Sequence, residues 1–537
     1  MEWGGHMPLI YLKNKHNGVT YVYESENYWD KIKKQSRSRR ICIGKLDPLS
    51  GELIPSRRLA TSHQPIKPGP VPATESKRLY AGATWLLNAI GEKLGITADL
   101  KQCFPNQYKQ LLSIAYYLIL EDHNPLIRFS KWSVTHQHPY GKDIPSQRSS
   151  DFFSSITEET RERFFRLQGK RRAEQEYWAY DTTSLSSYSQ GLRQVKYGMN
   201  KEHDPLPQMN LALLFGEQSN LPFYYRKLPG NISDVQTVKN LLADMDFFTY
   251  KKIKLVMDRG FYSEANINAL YQHHLKFLIG AKVTLKYVQA ELMAAKPQLQ
   301  KWENFDPDHN LYAYSKTIAW KYTQTRPYKG DVLEEERRAY LHLYFNKEKE
   351  AEDASRLNRL LTKLKAELES GKRDAAHEKS YAKYFEVTTT PKRGTVVKPK
   401  QEAIDAAVRN YGYFALLSNE IKDPIEALGV YRNKDLIEKA FGNLKERLNF
   451  RRMEVSSERS LDGKLFVEFV ALIFLSYIKK VMQDKNLFKR YTMQGLLDEL
   501  DVIECYERPG QDLRFGEITK RQLEIYEALE IDPPASL

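Results

Sequence analysis

The sequence predicts a mixed α/β domain interrupted by a large insertion and preceded by two smaller modules, one β-rich and one helical. Three observations carry this. Strand-like and helix-like patterns alternate through residues 173–285, as they do when helices flank a sheet. The rhythm stops at a polar, charge-rich block, 286–405, and resumes with the buried-strand run Tyr411–Leu417. Ahead of it, residues 1–75 carry alternating and branched runs, whereas residues 76–172 carry apolar side chains at helical spacing.

In the first module Ile10–Leu12 and Val19–Tyr23 read as strands joined by the turn Lys15–Gly18. Lys31, Lys33, Lys34, Arg37, Arg39 and Arg40 then precede a short strand, Ile41–Gly44; such a basic run is either a solvated face or an arm that meets a polyanion. Prolines between residues 63 and 74 mark a linker. The helical module opens with Trp85, Leu86, Leu87, Ile90 and Leu94, continues with Leu111–Leu120, and starts a further helix near Ser155 or Thr157, either of which is a good N-cap. In the α/β part, Tyr177–Asp181, Met209–Phe215, Pro222–Leu228, Ile253–Met257 and Lys276–Ile279 read as strands, with helices at Ser233–Phe248 and Ser263–His274. The block 286–405 contains a strand, Ala339–Phe345, a helix with a Leu357, Leu360, Leu361, Leu364, Leu368 stripe, and a Lys-rich loop at 391–400. The second part of the core, 406–485, holds a helix from about Pro424 to Leu448 and an apolar one over Leu465–Met482; residues 486–537 read as a tail.

The formal charge of +14 over 537 residues points to a polyanionic partner. Cys42, Cys103 and Cys505 are far apart, which argues against a zinc finger and a disulfide framework and fits a reducing cytoplasm. The most apolar run, Phe466–Ile478, is too short to span a bilayer and contains Glu468, so it reads as a buried helix.

The chemistry is carried by acidic residues at strand ends. Asp181 closes the first α/β strand and Asp258 follows another. An Asp in such a place often only opens a turn; two in one sheet also suit one metal site, since a buried carboxylate needs a cation, a partner or solvent. Tyr431, Lys434, Glu438 and Lys445 share one helical face, opposite Leu436, Ile437, Ala440 and Phe441. The plainer account of that face is an exposed Lys–Glu pair. Three carboxylates, Asp181, Asp258 and Glu438, fit a phosphoryl-transfer centre with two Mg²⁺ ions, Mn²⁺ being a substitute, about 3.5–4 Å apart. Lys434 and Lys445 then grip phosphates, and Tyr431 bonds a phosphate or stacks on a base.

These residues carry a resemblance. Residues 177–285 and 411–450 resemble the catalytic core of bacterial insertion-sequence DDE transposases, which has an RNase H-like fold. Tyr431, Lys434, Glu438 and Lys445 match the spacing of that group's Y-x2-R-x3-E-x6-K signature, with Lys in place of Arg; Lys meets phosphate as a point charge where Arg meets it with two parallel bonds. Gly230–Asp234 and Asp258–Tyr262 look like further motifs of the group. The resemblance implies the triad Asp181, Asp258, Glu438, with Arg259 joining Tyr431, Lys434 and Lys445 in contact with DNA, and it implies an insertion between the last core strand and the Glu helix.

It also implies an endonuclease that cuts at terminal inverted repeats and joins 3′-hydroxyls to target DNA, acting as a homo-oligomer, a dimer, on double-stranded DNA in a prokaryotic cytoplasm. A DNA-binding regulator without catalysis and another RNase H-like nuclease without strand transfer are the alternatives. The two N-terminal modules are the candidates for recognising element ends.

Overall fold

Strand pairing in the first 56 residues starts from a tight turn. Gly18, at φ +69°, takes the left-handed conformation that returns the chain, and its amide donates to Asn14 O at 2.9 Å. This joins β1 (Leu9–Lys13) to β2 (Thr20–Asp30), and β3 (Gln35–Leu46) and β4 (Leu53–Pro55) complete an antiparallel meander in the order β1-β2-β3-β4. Arg37, Arg39 and Arg40 are exposed on β3. The computed structural model describes residues 9–15, 17–30, 35–48, 50–56, 77–121, 124–172, 176–189, 191–199, 201, 204–248, 253–325, 330–390, 394–434, 442, 445, 448, 452–453, 457–507 and 513–535. The proline-rich segment 63–74, Lys31, Lys33, Lys34 and Glu438 lie outside these residues. The chain divides into two compact units, 1–75 and 76–537.

The second unit begins with β5 (Lys77–Tyr80) and the helices α1 (Gly82–Lys93), α2 (Ile96–Cys103), α3 (Tyr108–Leu120), α4 (Phe129–Thr135), α5 (Ser146–Ser155) and α6 (Glu158–Arg172). Thr157 rather than Ser155 accepts the amide of Thr160 at the start of α6. The sheet follows: β6 (Trp178–Ser187), β7 (Gln208–Gly216) and β8 (Pro222–Pro229) form an antiparallel meander. After α7 (Asp234–Phe248), β9 (Lys254–Met257) returns parallel to β6, and after α8 (Glu264–Gln272), β10 (Lys276–Ala281) lies parallel to β9. The core order is therefore β8-β7-β6-β9-β10. β7 is buried along its whole length, as expected of an inner strand covered on both faces. Ser263 caps α8, accepting the Asn266 amide at 3.1 Å.

The block 286–405 joins this sheet. After α9 (Lys286–Leu299) come β11 (Phe305–Asp306), β12 (Leu311–Thr325) and β13 (Val332–Phe345), a long hairpin whose second strand pairs with β16 (Tyr413–Ser418), itself paired with β10. The sheet thus continues β10-β16-β13-β12-β11. Between them, α10 (Lys347–Glu369), α11 (Glu378–Tyr384), β14 (Phe385–Thr390), β15 (Gly394–Pro399) and α12 (Gln401–Val408) build a satellite core around Leu357, Leu364, Leu368, Tyr381, Tyr384 and Phe385. The leucine stripe is therefore satisfied within the chain. Part of the stretch expected to be a Lys-rich loop, Gly394–Pro399, is a strand, because it pairs with β14.

α13 (Pro424–Asn433) and β17 (Arg452–Met453) precede a helix, Glu458–Asp484, buried along most of its length. Phe165 of α6 meets Tyr224 and Tyr225 of β8 and Phe466 and Phe469 of this helix, all edge-on. Residues 486–537 are not a free tail: β18 (Glu504–Glu507) pairs with β5 and with β19 (Arg514–Phe515), and Tyr526 donates its hydroxyl to Gly82 O at 2.8 Å. The positions 172, 285, 405 and 485, read from sequence as boundaries, all lie inside the second compact unit. No helix among the described residues is long and apolar enough to cross a membrane.

Candidate active site

The parallel register of β6 and β9 places two acidic residues next to each other. Trp178, Ala179 and Tyr180 face Leu255, Val256 and Met257, so the next residues are Asp258, just past the end of β9, and Asp181, which lies within β6 because the strand expected to end there runs on to Ser187 in its pairing with β7. Tyr180 is buried against the Phe261 ring, 5.1 Å away, which fixes the strand on one side and the turn after β9 on the other.

The two carboxylates have different surroundings. Asp181 is about one-fifth exposed; burial pushes its carboxyl up to about 6, against the pull of Lys201, the Thr182 amide (2.7 Å from Oδ1) and Lys434, and with help from the negative charge of Asp234. At Asp258 burial also acts upward, but the Tyr431 hydroxyl, Lys434, and the backbone amide and guanidinium of Arg259 outweigh it and hold the carboxyl below its ordinary range. Tyr431 donates to Asp258 Oδ1 at 2.5 Å. Gly280 makes room for that contact: a Cβ there would come within 2.8 Å of both the Tyr431 hydroxyl and the Arg259 amide.

Of the basic residues expected to meet DNA, Arg259 is exposed beside Asp258. Lys434 lies at the end of α13 with its ammonium 5.2 Å from the centroid of the Tyr431 ring, and it acts on both Asp181 and Asp258. Lys445 is 8% exposed. Tyr431, expected on a phosphate or base, is turned onto Asp258. Glu438 lies outside the described residues, so the geometry joins two of the three expected carboxylates. Asp258 also lines a cavity of about 530 Å³ that is bordered by residues of β10 and β16, Gly280 and Tyr431 among its walls, with Arg259, Lys282 and Lys349 along it.

Asp181 and Asp258 present carboxylate oxygens alone, the hard donors that Mg²⁺ takes, and a carboxyl raised by desolvation gains from a cation. The donor set therefore fits a hard divalent ion. Among the described residues, no group of three or more His, Cys, Asp or Glu side chains gathers as a metal site.

Three further residues stand at this place. Thr182 donates its hydroxyl to Asp234 Oδ1 at 2.6 Å, and Lys201 lies 3.2 Å from Asp234 and 4.0 Å from Asp181. Thr182 was legible as the neighbour of Asp181, and Asp234 as a helix-cap residue in Gly230–Asp234. Lys201 carried no local signal, since it comes from the connection between β6 and β7.

A family model described as a transposase DDE domain matches residues 175–474, more than half of the chain. Among solved structures, the chain is similar to the piggyBac transposase in a synaptic complex with hairpin DNA, determined by cryo-EM, at TM-score 0.35 and 10% identity over 73% of this chain and 69% of that one. No curated protein matches the chain.

Proposed function

The chain belongs to the transposase DDE domain family, and from that premise we propose that it is a DNA transposase that cuts at the ends of an insertion sequence and joins the freed 3′-hydroxyls to target DNA. The observation that carries this reading is the adjacency of Asp181, on β6, and Asp258, just past the end of the neighbouring parallel strand β9, in a sheet ordered β8-β7-β6-β9-β10. Three antiparallel strands followed by two parallel ones support an RNase H-like core, in which the hairpin β12-β13 and its satellite core form the insertion.

Asp181, Asp258 and Glu438 would hold two Mg²⁺ ions. Bound there, the ions supply charge stabilisation for the attacking and leaving oxygens of the phosphoryl transfer. The chain's own residues do the rest. Tyr431 holds the Asp258 carboxylate in one orientation. Lys434 balances the charge of both aspartates before DNA arrives and meets a phosphate afterwards. Arg259, with Lys282 and Lys349 along the adjoining cavity, attracts the backbone of the strand being cut. Lys445 takes the last place in the Tyr431, Lys434, Glu438, Lys445 signature. In this reading the enzyme is bacterial and acts as a dimer on paired DNA ends in the cytoplasm.

The test incubates the protein with labelled DNA carrying the element's own ends, Mg²⁺ and a target plasmid, beside Glu438→Gln. Cleavage and joining by the wild type, lost in the variant, is the expected result. Cleavage without joining would make it a nuclease, and specific binding with no chemistry a regulator. Full activity in Glu438→Gln would remove Glu438 from the triad.

A further inference from the structure

Lys201 reaches the candidate centre from a connection that is itself fastened down. Lys196 exchanges two backbone hydrogen bonds with Gln208, and the Gln208 side-chain Nε2 donates to both Met199 O and Gly230 O at 2.9 Å. The Lys201 amide donates to Ser184 Oγ at 3.4 Å. The ammonium then lies among four oxygens: Thr182 O and Thr182 Oγ1, both at 2.8 Å, Asp234 Oδ2 at 3.2 Å and Asp181 Oδ1 at 4.0 Å. Three of these partners match the three donors of an ammonium. The Thr182 hydroxyl accepts from Lys201 while donating to Asp234 Oδ1, so Thr182 and Asp234 together form a clamp. The fourth oxygen, on Asp181, lies beyond hydrogen-bond distance but within reach of the charge.

We propose that Lys201 is a tethered cation that sets the affinity of Asp181 for its divalent ion, and that Thr182 and Asp234 regulate it by holding the ammonium back from the Asp181 carboxylate. This rests on the reading of Asp181 as a metal-holding residue. The clamp also gives Asp234, within the motif Gly230–Asp234, a role that a helix start alone does not. The physical reason is competition: an ammonium at 4.0 Å repels an incoming divalent ion, and one released onto the carboxylate must be displaced before the ion binds. Lys201 is a positioning residue here, because it acts through Asp181.

The test measures Mn²⁺ binding to the DNA-free protein, by the paramagnetic resonance signal of unbound Mn²⁺, with thermal melts as a check of folding. Asp181→Asn is the reference, expected to lose the site. Lys201→Met removes the charge and keeps the length of the side chain; its Kd for Mn²⁺ is expected to fall about three- to tenfold, the partial exposure of Lys201 limiting the effect. Thr182→Val changes no charge but breaks the clamp, and its Kd is expected to rise. Opposite shifts from two neighbouring substitutions are not what simple damage to the site produces. Unchanged Kd in both, or a shift of the same sign in both, would overturn the proposal while Asp181→Asn still lost binding. Unaltered binding in Asp181→Asn would instead overturn the metal-centre reading, and the proposal with it.

Discussion

Asp258 is the best-defined acidic group at the site, and its definition comes from Tyr431. A hydroxyl 2.5 Å from a carboxylate oxygen is a charge-assisted bond, worth about 1.5–3 kcal/mol. Tyr431→Phe keeps the ring that packs beside Lys434 and removes that bond, so DNA cleavage should fall by about ten- to a hundredfold with the melting temperature little changed. Gly280→Ala should reproduce the loss, because a methyl group there occupies the space of the hydroxyl. Wild-type rates in both variants would show that Tyr431 does not hold Asp258 for catalysis. The two aspartates were legible from sequence because each follows an apolar run, a purely local pattern, although the strand that holds Asp181 continues to Ser187. The turn of Tyr431 onto Asp258 was not, since it depends on a gap left by a glycine on a third strand. Lys201 was less legible still: nothing around it distinguishes it from the other lysines, and only the folded connection brings it to Asp181.

Among the elements, the helix Glu458–Asp484 is buried along most of its length, and that burial was readable from its apolar run. The run also contains Glu468, which is fully buried; among the described residues neither of its carboxylate oxygens accepts a hydrogen bond, and Lys464 stands 3.8 Å away. Burial pushes this carboxyl up to about 8 despite the lysine. In the unfolded chain it titrates near 4.3, an ordinary Glu value. Between those values the folded protein holds a proton that the unfolded chain has released, so stability contributed by this group falls as pH rises from about 4.3 to about 8 and is level beyond. Glu468→Gln cannot ionise. Its melting temperature should therefore gain on the wild type steadily across that window, and a difference that stays constant from pH 5 to pH 8 would refute the assignment. The helix was visible in sequence as a hydrophobic stripe. The insertion strands were partly visible, Ala339–Phe345 by alternation, but their membership of the main sheet was not, because pairing between β13 and β16 joins residues far apart in the chain.

At the scale of the whole molecule, the two ends of the chain make unequal contributions, although both looked peripheral in the sequence. Residues 1–75 form a compact unit of their own, with a single fully buried aliphatic side chain among those described, Val22, and an exposed basic strand. Residues 486–537 belong to the second unit: β18 is the central strand between β5 and β19, and Trp85 donates its indole N–H to Asp532 O at 3.0 Å. Loss of the C-terminal segment would uncover the start of α1 at Ala81 and Gly82, which lies against Leu500 and Ile503, and leave β5 without its partner strand, whereas loss of the first unit leaves every strand of the large sheet paired. The fragment 76–537 should therefore keep the wild-type melting transition and cleave short, pre-nicked element ends in Mg²⁺, while its affinity for full-length ends falls as the charges of Arg37, Arg39 and Arg40 are lost. The fragment 1–485 should aggregate or melt well below the full chain. Because phosphate contacts release counterions, the end-binding deficit of 76–537 should also shrink as salt rises. Equal losses of cleavage on pre-nicked ends and of end binding would mean that residues 1–75 serve the catalytic centre itself, and the separation of recognition from chemistry along this chain would have to be abandoned.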